Sequence, residues 1–414
     1  MKRRVVVTGL GLVTPVGNDV PTAWRAVLDG ASGGGPITHF DTEKHRVKFA
    51  CEVKGFDPLL YMDRKEVKRS DLYTRYALAA SVQAMQHAGF GDGTGYDPLE
   101  SGVILGSGIG GITTFEEQLD VARTMGYNRV SAFFVPMFIG DIAAGVVSMR
   151  FGLKGPNYST QSACATSAHA IGEAFRTIVY GDADVMLTGG SEAAVTAMAV
   201  AGFANMQALS YNNDHPATAS RPFDKTRDGF VLGEGSGMVV LEELEHAKRR
   251  GAKIHGEIVG YGATGDAYHL TGQPDDHEGL QRAMRRALRD GGLKPDDVQY
   301  VNAHGTSTPM NDPNEIRAIK KVFGEHAKTM HVSSTKSSTG HTLGAAGGIE
   351  FVFTTLAIRE GCIPPTINLT QQDPECDLNC TPLKPVTREV TAAISNSSGF
   401  GGHNAAIAVR KFTD

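Results

Sequence analysis

The chain has 414 residues, 41% of them hydrophobic and 21% charged, and its length exceeds the roughly 250 to 300 residues at which a single core stops growing, so two cores or a duplicated one are expected. A net charge of −5 argues against a general nucleic-acid binder, because phosphate contacts need an excess of Lys and Arg, and any acidic partner must meet a local basic patch. Five cysteines, at positions 51, 164, 362, 376 and 380, are too few and too irregular for a disulfide framework and point to a reducing cytoplasm.

The opening "MKRRVVVTGLGLVTPVG" has the basic head and apolar stretch of a secretory signal. Gly9, Gly11 and Pro15 interrupt it and no small-residue cleavage site follows, so "RVVVTG" reads as a strand. A dinucleotide fingerprint would need glycine where Thr14 stands. "GASGGGP" matches Gly-x-Ser-x-Gly around Ser32, but Pro36 follows closely and no strand-to-helix elbow is evident. In "YMDRKEVKRSD", Lys65, Lys68 and Arg69 fall at i, i+3 and i+4, hence on one face if helical. A helix follows from Tyr76 to Ala88, then a strand at "GVILGSG", a helix from Ala165 to Tyr180, and strands at "DVMLTGG" and "GMVVLEEL".

Beyond Arg250 and Gly251 the rhythm starts again. "KIHGEIVGYG" reads as a strand, His277 to Asp290 as a helix, "VQYVNAHG" as a strand, Pro313 to Phe323 as a helix and "MHVSSTK" as a strand. A helix from about Ala345 to Arg359 and the strands "VTAAISNSS" and "NAAIAVRK" finish the chain. Strands alternating with helices imply an α/β fold with a mostly parallel sheet. Both parts end on a helix and two strands, which indicates a duplication with halves 1–251 and 252–414. No uninterrupted apolar run approaches the ~20 residues that span a membrane.

"TQSACATSAHA" places Cys164 among Ser162, Ala163, Ala165, Thr166, Ser167 and Ala168. The helix that follows puts the sulfur at or beside a helix N-terminus, where unpaired N–H groups favour a thiolate, and small neighbours admit a bulky electrophile. An inert cysteine packed against a helix would also suit this stretch alone. His304 directly follows the strand "VQYV", and His341 follows another, with Lys336 between strand and imidazole. With Cys164, at equivalent strand ends of a duplicated fold, they form one expected constellation. Cys376 and Cys380 lack a second ligand pair at zinc spacing and read as core or loop thiols, so no metal site is expected.

"SACATSAHAIG", "NAHGTSTP", "STKSSTGHTLGAAGG" and "NSSGFGGHNA" resemble the signature segments of the β-ketoacyl-acyl-carrier-protein synthases, the elongating condensing enzymes of fatty-acid synthesis, and most nearly the synthase II type. The resemblance implies a thiolase-like fold, two βαβαβαββ halves in a five-layer α-β-α-β-α sandwich, found as a homodimer. It implies catalysis by Cys164, His304 and His341, supported by Lys336, Glu315 and Glu350, the two glutamates matching acidic positions associated with the lysine. Backbone N–H groups of Cys164 and Phe400 would form the oxyanion hole, and Thr306 and Thr308 would bind pantetheine. Ile109, Phe203 and Phe400 would line the acyl tunnel, with Phe400 as its gate, and Lys65, Lys68 and Arg69 would dock the acidic acyl carrier protein. The implied reaction joins an acyl group on the cysteine to malonyl carrier, releases CO₂, and needs no cofactor beyond the carrier's phosphopantetheine. A ketosynthase of a dissociated polyketide system is the alternative. A silent chain-length partner would usually lack the cysteine, a biosynthetic thiolase would replace one histidine by cysteine, and a cysteine hydrolase would admit water and need no malonyl group.

Overall fold

The structure, a computed structural model, describes residues 2–91 and 93–414. In the first half, β1 (Val5–Val13), α1 (Leu72–His87), β2 (Ser101–Gly106), α2 (Ile142–Phe151), β3 (Asn157–Tyr158), α3 (Thr166–Tyr180), β4 (Val185–Glu192) and β5 (Gly235–Glu243) follow one another. The second half repeats the order with β6 (Gly256–Gly265), α4 (Glu278–Gly291), β7 (Tyr300–Asn302), α5 (Asn311–Phe323), β8 (His331–Ser333), α6 (Ala346–Glu360), β9 (Ala392–Gly399) and β10 (His403–Arg410). Each is therefore βαβαβαββ.

Strand pairing carries the duplication further than the element order does. The first five strands lie in the order β3-β2-β4-β5-β1 and the second five in the order β8-β7-β9-β10-β6. In each set the third, second and fourth strands in chain order pair in parallel, whereas the last strand is antiparallel to both of its neighbours. β1 and β6 then pair antiparallel, Val5 opposite Ile258 and Val7 opposite Gly256, which joins the two sets into one ten-stranded sheet.

Alternation along the strands explains the layers. Val185 and Leu187 point into the core under α1 and α2, while Met186 between them points to the opposite core. Val103 and Leu105 against Ile104 do the same, as the period of two in a strand requires. A sheet covered on both faces reads as continuous apolar runs, which is what "VVV" and "GVIL" are. The middle core gathers Ile171 and Phe175 of α3 and Ile349, Phe353 and Leu356 of α6 between the two halves of the sheet. α4 and α5 cover the far side through Leu280, Met284, Ile316 and Ile319. The result is the five-layer α-β-α-β-α sandwich. Cys376 and Cys380 are buried in this last core, and no helix among the described residues is long and apolar enough to cross a membrane.

Candidate active site

α3 and α6 begin in the same way. A one-turn 3-10 helix precedes each, Ala163–Ala165 and Leu343–Ala345, and each opens on a residue in left-handed backbone, Ala163 at φ +50° and Leu343 at +48°. That geometry is unfavourable for residues with a Cβ, and it turns the chain sharply so that Cys164, the next residue, faces the gap between the halves. Ring and sulfur meet there: Cys164, His304, His341, Phe400, Thr306, Thr308 and Phe203 line one cavity of about 330 Å³.

His304 is held from below. Its own N–H and that of Gly305 donate to the two carboxylate oxygens of Glu315, at 2.9 and 2.8 Å, from the first turns of α5. The fully buried Lys336 pairs with Glu350 of α6 and points its Nζ at Nδ1 of His304, 3.5 Å away. An ammonium has only donors, so Nδ1 must present its lone pair and the ring proton sits on Nε2. The two acidic residues associated with the lysine thus divide their work, Glu350 taking the ammonium and Glu315 the backbone beneath the imidazole.

The rings of His304 and His341 stand edge to face, centroids 5.3 Å apart. Burial and the neighbouring Lys336 charge hold both imidazoles well below the usual histidine range, so both are neutral. Phe230, which the sequence reading did not single out, packs its ring 5.2 Å from His341 and 5.5 Å from Phe203.

Cys164 departs from one expectation. The helix start is present, and Lys336 together with the N–H groups of Phe400 and Cys164 favours the anion. Burial is the larger effect and pushes the thiol up to about 12, because only 8% of the residue is exposed and a desolvated thiolate is costly. Burial thus favours the thiol over the thiolate in the free enzyme.

Phe400 follows β9 directly. Gly401 and Gly402, at φ +84° and +75°, turn the chain back into β10, a path open to glycine. Gly399 lies so close to the cysteine turn that an added Cβ would stand 2.7 Å from the Ser162 carbonyl oxygen and 3.0 Å from the Cys164 nitrogen. The hydroxyls of Thr306 and Thr308 are 2.9 Å apart on the cavity wall, and Thr308 also accepts the Asn311 N–H, 3.2 Å away, at the head of α5. Ile109 packs in the same apolar cluster as Cys164 and Phe203 but is not on the cavity wall. Lys65 and Lys68 are exposed on a short helix, Arg64–Lys68, capped by Asp63. Arg69 lies over the Phe133 ring, 4.3 Å from its centroid. Lys65 and Arg69 border a surface depression that shares no residue with the catalytic cavity.

Paired βαβαβαββ halves with a cysteine at the head of one central helix define a thiolase-like protein. The chain belongs to the beta-ketoacyl synthase family: the N-terminal domain model of that family matches residues 2–247 and the C-terminal domain model residues 255–370. A 3-oxoacyl-[acyl-carrier-protein] synthase 2 of Synechocystis sp. is 51% identical over 411 residues, 99% of each chain. The crystal structure of a beta-ketoacyl synthase from Burkholderia phymatum superposes with a TM-score of 0.93 over 100% of both chains, at 35% identity. A chain from the complex of a type II PKS acyl-carrier protein with its ketosynthase matches with a TM-score of 0.91, again over 100% of both, at 34% identity.

Proposed function

We propose that this chain is a 3-oxoacyl-[acyl-carrier-protein] synthase of type II, which elongates carrier-bound fatty acyl chains by decarboxylative Claisen condensation. The Cys164 sulfur attacks the thioester of an acyl carrier. Its proton leaves with the carrier thiol, and the acyl group stays on the enzyme as a thioester. The tetrahedral oxyanion formed on the way is met by the N–H groups of Cys164 and Phe400. Malonyl on a second carrier then loses CO₂, and the electron pair left behind collects on the thioester oxygen as an enolate. His304 and His341, both neutral, donate Nε2–H bonds to that oxygen. One such donor is worth roughly 3 to 4 kcal/mol in oxyanion sites, so two are needed to matter against a carbanion. The enolate carbon attacks acyl-Cys164, the C–S bond breaks, the released sulfur takes up a proton from water, and a 3-oxoacyl carrier longer by two carbons departs.

The remaining roles follow the same reading. Thr306 and Thr308 bind the pantetheine arm, Phe203 and Ile109 border the acyl chain, and Phe400 gates its entry. Lys65, Lys68 and Arg69 receive the acidic carrier, and no metal, nucleotide or redox group takes part. Residues 1–251 supply the nucleophile and 252–414 the imidazoles. The edge strand β3, with Tyr158 45% exposed and Val135 and Met149 exposed nearby in sequence, fits a homodimer interface, and the protein works in the cytoplasm.

The observation that carries the proposal is the Lys336–His304 contact, because it fixes a donor tautomer on a neutral ring in the same cavity as Cys164. The test is CO₂ release from malonyl carrier in the presence of acyl carrier, with mass spectrometry of the intact enzyme. The expected adduct is a thioester on Cys164 that Cys164→Ala abolishes. A thioester on another cysteine, or undiminished elongation by Cys164→Ala, would overturn the mechanism.

A further inference from the structure

The internal symmetry assigns Cys164 a counterpart. β4 and β9 occupy the same place in their halves, Glu192 opposite Gly235 in one and Gly399 opposite His403 in the other. The turns Ala163–Ala165 and Leu343–Ala345 correspond likewise, which pairs Cys164 with Gly344. At Cys164, N–H groups from the turn and from the residue after Gly399 converge on the sulfur. At the mirrored position the Gly344 N–H donates instead to the carboxylate of Glu192, at 2.9 Å.

Glu192 is wholly buried and the condensation mechanism makes no use of it. Its Oε2 also accepts the Gly108 N–H at 2.8 Å, while Oε1 accepts the Ser107 hydroxyl at 2.8 Å and the Ile109 N–H at 3.2 Å. Every one of these four partners can donate to the carboxyl group, while burial raises Glu192 above the usual carboxylate range. The second copy of the anion hole is thus filled by an internal carboxyl group.

This carboxyl group joins two segments from different halves, both in the apolar cluster around Cys164. Ile109 belongs to the loop after β2, Leu343 to the turn before α6, and both pack in the cluster around Cys164 and Phe203. Leu343 also lines the cavity. We propose that Glu192 is a positioning residue for acyl-chain selection: by clamping the Ser107–Ile109 loop to the Gly344 turn, it fixes the apolar wall that the acyl chain meets next to Cys164. This rests on the condensing reading above.

The test is a ladder of acyl-carrier chain lengths assayed with Glu192→Gln, Glu192→Asp and Ile109→Ala enzymes. The amide of Glu192→Gln places an NH₂ group against the Gly108 and Gly344 N–H donors if it takes the Oε2 position, and against the Ile109 N–H if it takes the Oε1 position. It is expected to change the ratio of long-chain to acetyl kcat/KM by roughly tenfold, with acetylation of Cys164 kept within about threefold. Glu192→Asp, which keeps a carboxyl acceptor, should recover part of the ratio. Because Glu192→Gln could fail to fold, the cycle of Glu192→Asp with Ile109→Ala decides independently. If Glu192 acts through the loop, the double variant shifts the ratio no further than Ile109→Ala alone. Equal losses at every chain length, an unchanged profile, or additive effects in the cycle would overturn the proposal. Failure of the parent enzyme to elongate any chain would instead defeat the condensing reading.

Discussion

Gly399→Ala tests whether the spacing of the two oxyanion donors is set by a missing side chain. Gly399 is not in left-handed backbone, so alanine brings no conformational strain and its effect is steric. The new methyl group would lie 2.7 Å from the Ser162 carbonyl oxygen, where ordinary contact begins at 3.4 Å, so strand and turn must part by about 0.7 Å. That displacement falls between Phe400 and Cys164, the residues whose N–H groups are proposed to share one oxyanion. Loss of one such donor costs about 10²-fold to 10³-fold in kcat, and misplacement by about 1 Å costs about 10²-fold. Overpacking should lower stability by about 1 to 3 kcal/mol, which leaves a chain of this size folded. The assay follows Cys164 acylation by stopped-flow mass spectrometry and turnover by CO₂ release, with near-UV circular dichroism as the check on folding. A folded variant with turnover within about twofold of the parent refutes the reasoning.

Other perturbations address other parts of the site. Lys336→Ala leaves Glu350 buried without its partner and should cost about 3 to 5 kcal/mol in urea unfolding. The apolar pair Lys336→Met with Glu350→Leu should regain most of that stability without regaining turnover, since Nδ1 of His304 has lost its cation. His255 and His277 are buried, and burial lowers them to about 3 and about 4. Below about 6.5 the unfolded chain therefore binds protons that the folded one refuses, and stability falls as pH drops toward those values. At pH 5 each contributes about 2 kcal/mol to the loss, so His277→Asn should flatten the pH dependence of the urea midpoint, and an unchanged slope would count against it. Reversing Lys65 and Lys68 to Glu should raise KM for carrier-bound chains and spare small thioester mimics. Equal effects on both substrates would rule out docking at this helix.

The helices α3, α4 and α5 were legible in the sequence to within a few residues, because each keeps an apolar face at helical spacing. α2 and β3 were not. "IAAGVVSMRF" has no polar face to give it a period, and β3 has two residues, both exposed, too few to make an apolar run. The reactive residues could be placed because cysteine, histidine and glycine stand at strand ends in order. The acidity of Cys164 could not, since helix position is local information whereas burial comes from Phe400 and the second half. Glu192 escaped notice for the same reason. "TGGSE" reads as a strand reaching solvent, and only the fold brings Gly344, 152 residues later, onto its carboxylate.

Dividing the reaction centre between two copies has a consequence during synthesis. The ribosome delivers the sulfur first and the imidazoles last, and the halves share one continuous sheet through β1 and β6. On the proposed mechanism, a nascent chain carrying only the first copy has the thiol without the two imidazole donors, and so could neither hold an enolate nor discharge CO₂. Competence therefore requires both copies.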